Sequence, residues 1–215
     1  MKILAIAGSP RRGGNTDALL EQAIAGAKSA GAEVELVVLN RLKIAPCIAC
    51  DRCFENGRCA VKDDYPALCD KTLEADAVIL AAPVFFTNVS GWAKAFIDRF
   101  QCLWALKYVL HQPVPLPPGS QKRRAIFLST AGSPKTKFDC TLSTVRSFFS
   151  TIDAALVGTL CVNALDEKGA AAGQPELLQQ AFALGVQLAA TCGRPALLRR
   201  PASAGSAGLV SGAAS

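Results

Sequence analysis

The chain has 215 residues, 51% of them hydrophobic, with nine cysteines and a net charge of +6 from 23 Lys and Arg against 17 Asp and Glu. That length suits one domain whose core needs no disulfides, no apolar run is long enough to span a bilayer, and a lone His111 rules out a multi-histidine metal site or a histidine triad. Short basic groups at Arg11-Arg12, Lys122-Arg123-Arg124 and Arg199-Arg200 carry no interleaved aromatics, which speaks against nucleic acid as a partner.

Lys2 to Ala7 reads as a fully buried strand, with Gly8 to Thr16 a Gly-rich turn into a helix that sets Leu19, Leu20, Ala23, Ile24 and Ala27 on one face. The opening run ends at Gly8-Ser9-Pro10, unlike a secretory leader, so a reducing, cytoplasmic setting is expected, with the cysteines as ligands or packing residues. Glu33 to Leu39 is the second strand, entered through Gly31. A cysteine-rich segment over 43–66 then interrupts the alternation. Ala77 to Ala82 is a third buried strand. After Pro83 come a loop and a helix from about Ser90 to Cys102, where Trp92, Phe96 and Phe100 recur at helical spacing. Four prolines and a glycine within 104–122 predict an irregular excursion.

Arg124 to Thr130 supplies the fourth strand, Ala131-Gly132-Ser133-Pro134 a turn, Phe138 to Ile152 a helix, Ala155 to Asn163 the fifth strand and Pro175 to Cys192 a final amphipathic helix. Five strands alternating with helices predict an α/β fold, a flavodoxin-like doubly wound parallel sheet of order 2-1-3-4-5 with the cysteine-rich insertion after strand 2. One domain over 1–193 is expected, followed by an Ala/Gly/Ser-rich tail over 194–215 with too little apolar material to fold.

Within the insertion, Cys47, Cys50, Cys53 and Cys59 stand in a C-x2-C-x2-C-x5-C array. Two-residue gaps let one loop wrap three thiolates around an iron-sulfur cubane, and the fourth closes the far corner. Zinc suits the spacing less well, because its structural sites usually join two separated pairs. A loop without metal is the third reading. Cys69, Cys102, Cys140, Cys161 and Cys192 are dispersed and read as buried packing residues. The adjacent Asp63 and Asp64 read as helix caps or solvated groups.

In a doubly wound sheet ligands sit outside the carboxyl ends of the strands, at the point where strand order reverses. There Ser9, Arg11, Gly14, Asn15 and Thr16 offer backbone amides, hydroxyls, an amide and a guanidinium, a donor set suited to one terminal phosphate. The nucleotide-triphosphate pattern is missed, since Gly14 and Asn15 replace its Lys and Ser/Thr. The blander reading is a tight turn capped by Asn or Thr. After strand three, Pro83, Val84, Phe85, Phe86 and Asn88 could rest against a flat heteroaromatic ring, although aromatics beside a strand are more often core. Thr130, Ala131 and Gly132 could close the other side, their small size permitting close backbone approach.

Taken together, GSPRRGGNT at 8–16, CIACDRCFENGRC at 47–59 with Asp63-Asp64 after it, and PVFFTNVSGWAKAFIDR at 83–99 resemble the iron-sulfur flavoproteins of the NADPH-dependent FMN reductase branch. The resemblance spans about residues 1 to 192. It implies FMN held by its phosphate at the first loop and its isoalloxazine at the second, a 4Fe-4S cluster on the four cysteines, and a homodimer or homotetramer; the expected electron source is NAD(P)H or a ferredoxin-like donor. The chemistry would then lie on FMN, with no protein acid, base or nucleophile. Two rivals are a cluster-free NAD(P)H-dependent FMN or quinone reductase and a non-enzymatic electron carrier or redox sensor; the positive charge argues against a freely diffusing acidic shuttle.

Overall fold

The strand segments Ile3–Ala7, Ala77–Ala82 and Ala125–Leu128 are apolar on both faces, and such strands must be covered on both sides. The computed structural model, which describes residues 1–120 and 122–190, covers them that way. In chain order, β1 (Lys2–Ala7), α1 (Asn15–Ser29) and β2 (Glu33–Val38) form the first unit; α2 (Cys53–Asn56) and α3 (Tyr65–Glu74) follow within and after the cysteine segment. Next come β3 (Ala77–Ala81), β4 (Val84–Phe85), β5 (Asn88–Val89), α4 (Gly91–Asp98) and α5 (Gln101–Tyr108). The chain then forms β6 (Arg123–Thr130), α6 (Asp139–Thr151), β7 (Ala154–Val162) and α7 (Pro175–Ala190).

The main sheet runs β2-β1-β3-β6-β7 with every neighbouring pair parallel, which is the order the sequence predicts. On one face α3 to α6 bury an aromatic row in which the Phe96, Phe100 and Phe148 rings stand edge to face, with centroids 4.9 Å apart at each step through Phe100. On the other face α1 and α7 cover Ile3, Ile79, Ile126 and Leu128. These two helices touch backbone to backbone. A Cβ on Gly26 would press into the Phe182 carbonyl, and one on Gly185 into the Ala23 carbonyl.

Several elements differ from expectation. The helix expected over Ser90–Cys102 is two, broken at Arg99–Phe100, where the Phe100 N–H bonds Ile97 O three residues back. α5 continues to Tyr108, inside the stretch expected to be irregular. A proline constrains itself and the residue before it, and the first of these is Pro113, so Trp104 to Tyr108 remain free to be helical. Pro83 leads not into a plain loop but into the antiparallel β4–β5 hairpin. α3 was hidden among loop-like residues, with Pro66 in its first turn where proline is tolerated. The expected tail over 194–215 and Cys192 lie outside the described residues. Among the described residues no helix is long and apolar enough to cross a membrane.

Gly185→Ala should lower unfolding stability by about 3 kcal/mol, the upper end for overpacking, because a helix backbone and not a movable side chain opposes the new methyl. Urea denaturation of the full chain measures this; a loss below about 1 kcal/mol would show that α1 and α7 can separate cheaply.

Candidate functional site

The loops after β1, β3, β6 and β7 meet at the carboxyl edge of the sheet and enclose a cavity of about 810 Å³, ample for a cofactor-sized ligand. Of the residues singled out from sequence, Ser9, Arg11, Gly14, Asn15, Thr16, Pro83, Val84, Phe85, Phe86, Thr130, Ala131 and Gly132 line it. Asn88 does not. It is half-buried in β5, where its Oδ1 accepts from the Val89 N–H at 2.8 Å.

The first turn of α1 has no side-chain cap, so the Asn- or Thr-capped turn does not form. Its leading N–H groups point out of the helix end, where an anion is stabilised. The Asn15 side chain is already used: Nδ2 donates to Leu165 O (2.9 Å) and Glu167 O (2.8 Å), and Oδ1 accepts from the Ala171 N–H (3.0 Å). It clamps the loop after β7, so its side-chain donors are spent within the protein. Thr16 Oγ1 lies 2.6 Å from Thr130 Oγ1, joining the first and third loops. Ser9 Oγ bonds within its own turn, donating to Arg11 O (3.1 Å) and accepting from the Arg11 N–H (3.2 Å). Arg11 remains exposed at the rim. Behind it Asp17 is buried, accepting from the Gly13 N–H at 2.8 Å and paired with Arg12 at 2.9 Å. Burial raises its carboxyl pKa, and the Gly13 N–H and Arg12 oppose that rise.

At the hairpin tip Phe86 is fully exposed and Phe85 nearly half so, which excludes the core reading of this aromatic pair. Phe86 and Thr87 both take positive φ, 46° and 64°, as the tight two-residue hairpin turn requires, although neither is glycine. Thr141 Oγ1 donates to Thr87 O at 3.0 Å and pins the strained turn to α6. At the hairpin base Ser90 Oγ donates to Gly8 O, locking the second loop to the first. Gly132 admits the fourth loop: a Cβ there would stand 2.6 Å from Asp166 Oδ1.

Sequence reasoning missed that fourth loop and with it Asp166 and Lys168, as well as Lys135 and Lys137 on the third. The strand-end rule that located the other loops, applied to the fifth strand, would have found it. Cys140 was expected to be buried and is exposed on the cavity wall. It lies on the first turn of α6, on the ligand side of the helix.

A second site lies on the cysteine insertion. Cys47, Cys50, Cys53 and Cys59 all line one small hollow, closed from behind by Arg99 and Cys102. Among the described residues no three Cys, His, Asp or Glu are grouped tightly enough to hold a single metal ion. Burial pushes the Cys53 thiol up to about 11, with Cys102, Cys59 and Cys47 adding to the rise.

Asp63 bonds the head of α3, accepting the Tyr65 N–H at 3.0 Å, and is half-buried. Arg99 reaches it at 2.6 Å and 3.1 Å, and it accepts N–H groups from Ala45 and Tyr65. Burial alone would raise its carboxyl, but these partners outweigh burial and hold it below the ordinary range. Asp64 accepts from the Lys43 N–H at 2.7 Å.

A five-stranded parallel sheet of this order, with its cavity at the carboxyl edge, defines a flavodoxin-like α/β protein. The chain belongs to the NADPH-dependent FMN reductase family, whose profile matches residues 1–166. An iron-sulfur flavoprotein of Methanocaldococcus jannaschii is 40% identical over 99 residues, covering 46% of this chain and 51% of that protein. A second from the same organism is 30% identical over 159 residues, covering 74% and 75%. The chain spans about half the length of the first curated relatives it matches. Among solved structures, a flavone reductase superposes with a TM-score of 0.67 at 22% identity, over 89% of this chain and 63% of that one. An archaeal flavodoxin does so with a TM-score of 0.54 at 13% identity, over 89% and 99%.

Asn15→Ala strands two carbonyls and one N–H that its side chain now satisfies. A stability loss of about 2 kcal/mol is expected in urea melts, with faster amide exchange over 165–171; unchanged exchange there would show that the clamp is dispensable.

Proposed function

We propose that this protein is an NAD(P)H-dependent flavin oxidoreductase that holds FMN in the sheet-edge cavity and a 4Fe-4S cluster on Cys47, Cys50, Cys53 and Cys59. The observation that carries the flavin assignment is the single cavity into which an uncapped helix end and an exposed aromatic hairpin both open. When bound, FMN would accept an electron pair as one hydride and release the electrons singly, and the cluster would supply one-electron transfer.

The remaining work falls to this chain's residues. The N–H groups at the start of α1 and the Arg11 guanidinium receive the FMN phosphate. Phe85 and Phe86 give apolar contact to the ring, while Pro83, Val84, Ala131 and Gly132 shape its walls. On the lining Lys135, Lys137 and Lys168 outnumber Asp139 and Asp166, a net positive charge that favours an anionic nicotinamide dinucleotide. The cluster assignment is supported by the convergence of all four thiols on one hollow and by the iron-sulfur flavoprotein relatives. A reducing compartment such as the cytoplasm suits it, as does a homodimer or homotetramer, for which exposed Trp92, Trp104 and Tyr108 offer contact area. A ferredoxin-like donor is an alternative to the nicotinamide.

The cluster-free FMN or quinone reductase is the second reading, favoured by the lack of a tight ligand group among the described residues. Anaerobic purification with iron, sulfide and FMN analysis separates the two, and bleaching of the flavin by NADPH tests the reductase. Cys50→Ser should keep FMN and lose the iron; iron-free wild-type protein with full NADPH turnover would favour the second reading.

Phe86→Asn with Thr87→Gly replaces the strained tip by residues that accept positive φ. The double variant should gain about 1 kcal/mol of stability and bind FMN up to about tenfold more weakly, through loss of the aromatic contact. Urea melts and FMN fluorescence titration read the two effects; unchanged FMN affinity would place the ring elsewhere.

A further inference from the structure

Arg99 is a fully buried cation beside the cysteine hollow, and all five of its N–H groups are used. Nη1 donates to Ala45 O at 2.8 Å and Asp63 Oδ2 at 2.6 Å; Nη2 donates to Asp63 Oδ1 at 3.1 Å and Val61 O at 3.4 Å. The fifth, on Nε, is aimed at Cys59 Sγ, 3.3 Å away. Ala45 precedes the cysteine array, while Val61 and Asp63 follow it. One side chain thus gathers both ends of the loop, and the Tyr65 ring backs the guanidinium at 4.6 Å.

We infer that Arg99 is a positioning residue for the cysteine loop and also sets the electron affinity of the cluster held there, with Asp63 as its counterweight. This assignment rests on the cluster reading above. A neutral thiol is a weak acceptor, whereas a metal-bound thiolate makes a charge-assisted bond with a guanidinium. The Nε–H is therefore worth most when Cys59 is ligated. Reduction adds one negative charge to the cluster. A nearby cation and an N–H···S bond stabilise that added charge and raise the reduction potential. The Asp63 carboxylate, fixed on the far side of the same guanidinium, opposes the effect.

The two residues therefore have opposite signs, which separates this role from simple bracing. Loss of loop order would move the potential the same way whichever partner of the ion pair were removed. Arg99 also follows α4 directly, and Ser90 at the head of that helix is bonded to Gly8 O beneath the cavity, so one rigid helix joins the two sites.

The test is a redox titration, followed by electron paramagnetic resonance, of the anaerobically reconstituted full chain carrying both FMN and iron. Arg99→Gln should lower the cluster's reduction equilibrium constant at least tenfold, a shift of about 59 mV to more negative potential for one electron. Asp63→Asn should shift it the other way, and Arg99→Lys, which keeps the charge but loses the fork and the Nε–H, should fall between wild type and Arg99→Gln. FMN content and circular dichroism report whether each variant folds. Should Arg99→Gln fail to fold, Arg99→Lys and Asp63→Asn still carry opposite expected signs. Shifts in the same direction, or reduction equilibrium constants within twofold of wild type, would overturn the assignment. Iron-free wild-type protein after reconstitution would overturn the cluster reading, and this assignment with it, before any variant is compared.

Discussion

A parallel sheet sends every strand-to-helix connection out at the same edge, and the architecture of this protein follows from that constraint. β1 lies between β2 and β3, so the chain winds one way from it and then the other, and the loops on either side part to leave a crevice. Loops from four strands line the crevice, and buried polar groups cross-link them. Thr16 meets Thr130, Ser90 meets Gly8, Ser129 meets Ala82, and Asn15 holds the loop after β7. Such groups are expensive to leave unpaired in a dry interior. The cavity wall is held as a unit in which each loop depends on its neighbours.

The cysteine insertion solves a different problem. It has no sheet to order it, and its only helical piece is the short α2. Its order comes from a buried charge: Arg99, at the end of α4, reaches across and fixes the loop through carbonyls, a carboxylate and a sulfur. An ion pair of this kind is costly to break from one side only, because the survivor is left uncompensated in low dielectric. The break between α4 and α5 falls at this residue. Helix geometry, loop order and the electrostatics of the hollow thus converge on one position.

Much of the sheet was legible in the sequence because both-face burial writes a continuous apolar run, as at Ile3–Ala7 and Ala77–Ala82. The three cavity loops were legible for a related reason, since strand ends can be counted once strands are found. The rest was not. The β4–β5 hairpin turns on Phe86 and Thr87 with positive φ, which violates turn propensity and is sustained by contacts such as Thr141 with Thr87 O. Asn15 looked like a ligand donor because its partners at 165, 167 and 171 are far away in sequence. Cys140 and Cys69 are alike as letters, yet one faces the cavity and the other the core.

The sequence by itself determined the alternation of strands and helices, the order of the sheet and the spacing of the four cysteines, because these depend on local periodicity and on the rules of parallel winding. Only the tertiary structure decided which polar side chains are spent on holding loops together and which remain for a ligand. It alone placed Arg99 against Cys59 and Asp63 against Arg99. Pairings between groups tens of residues apart leave no periodic trace in a chain; they exist only once the backbone has brought their partners within hydrogen-bond reach.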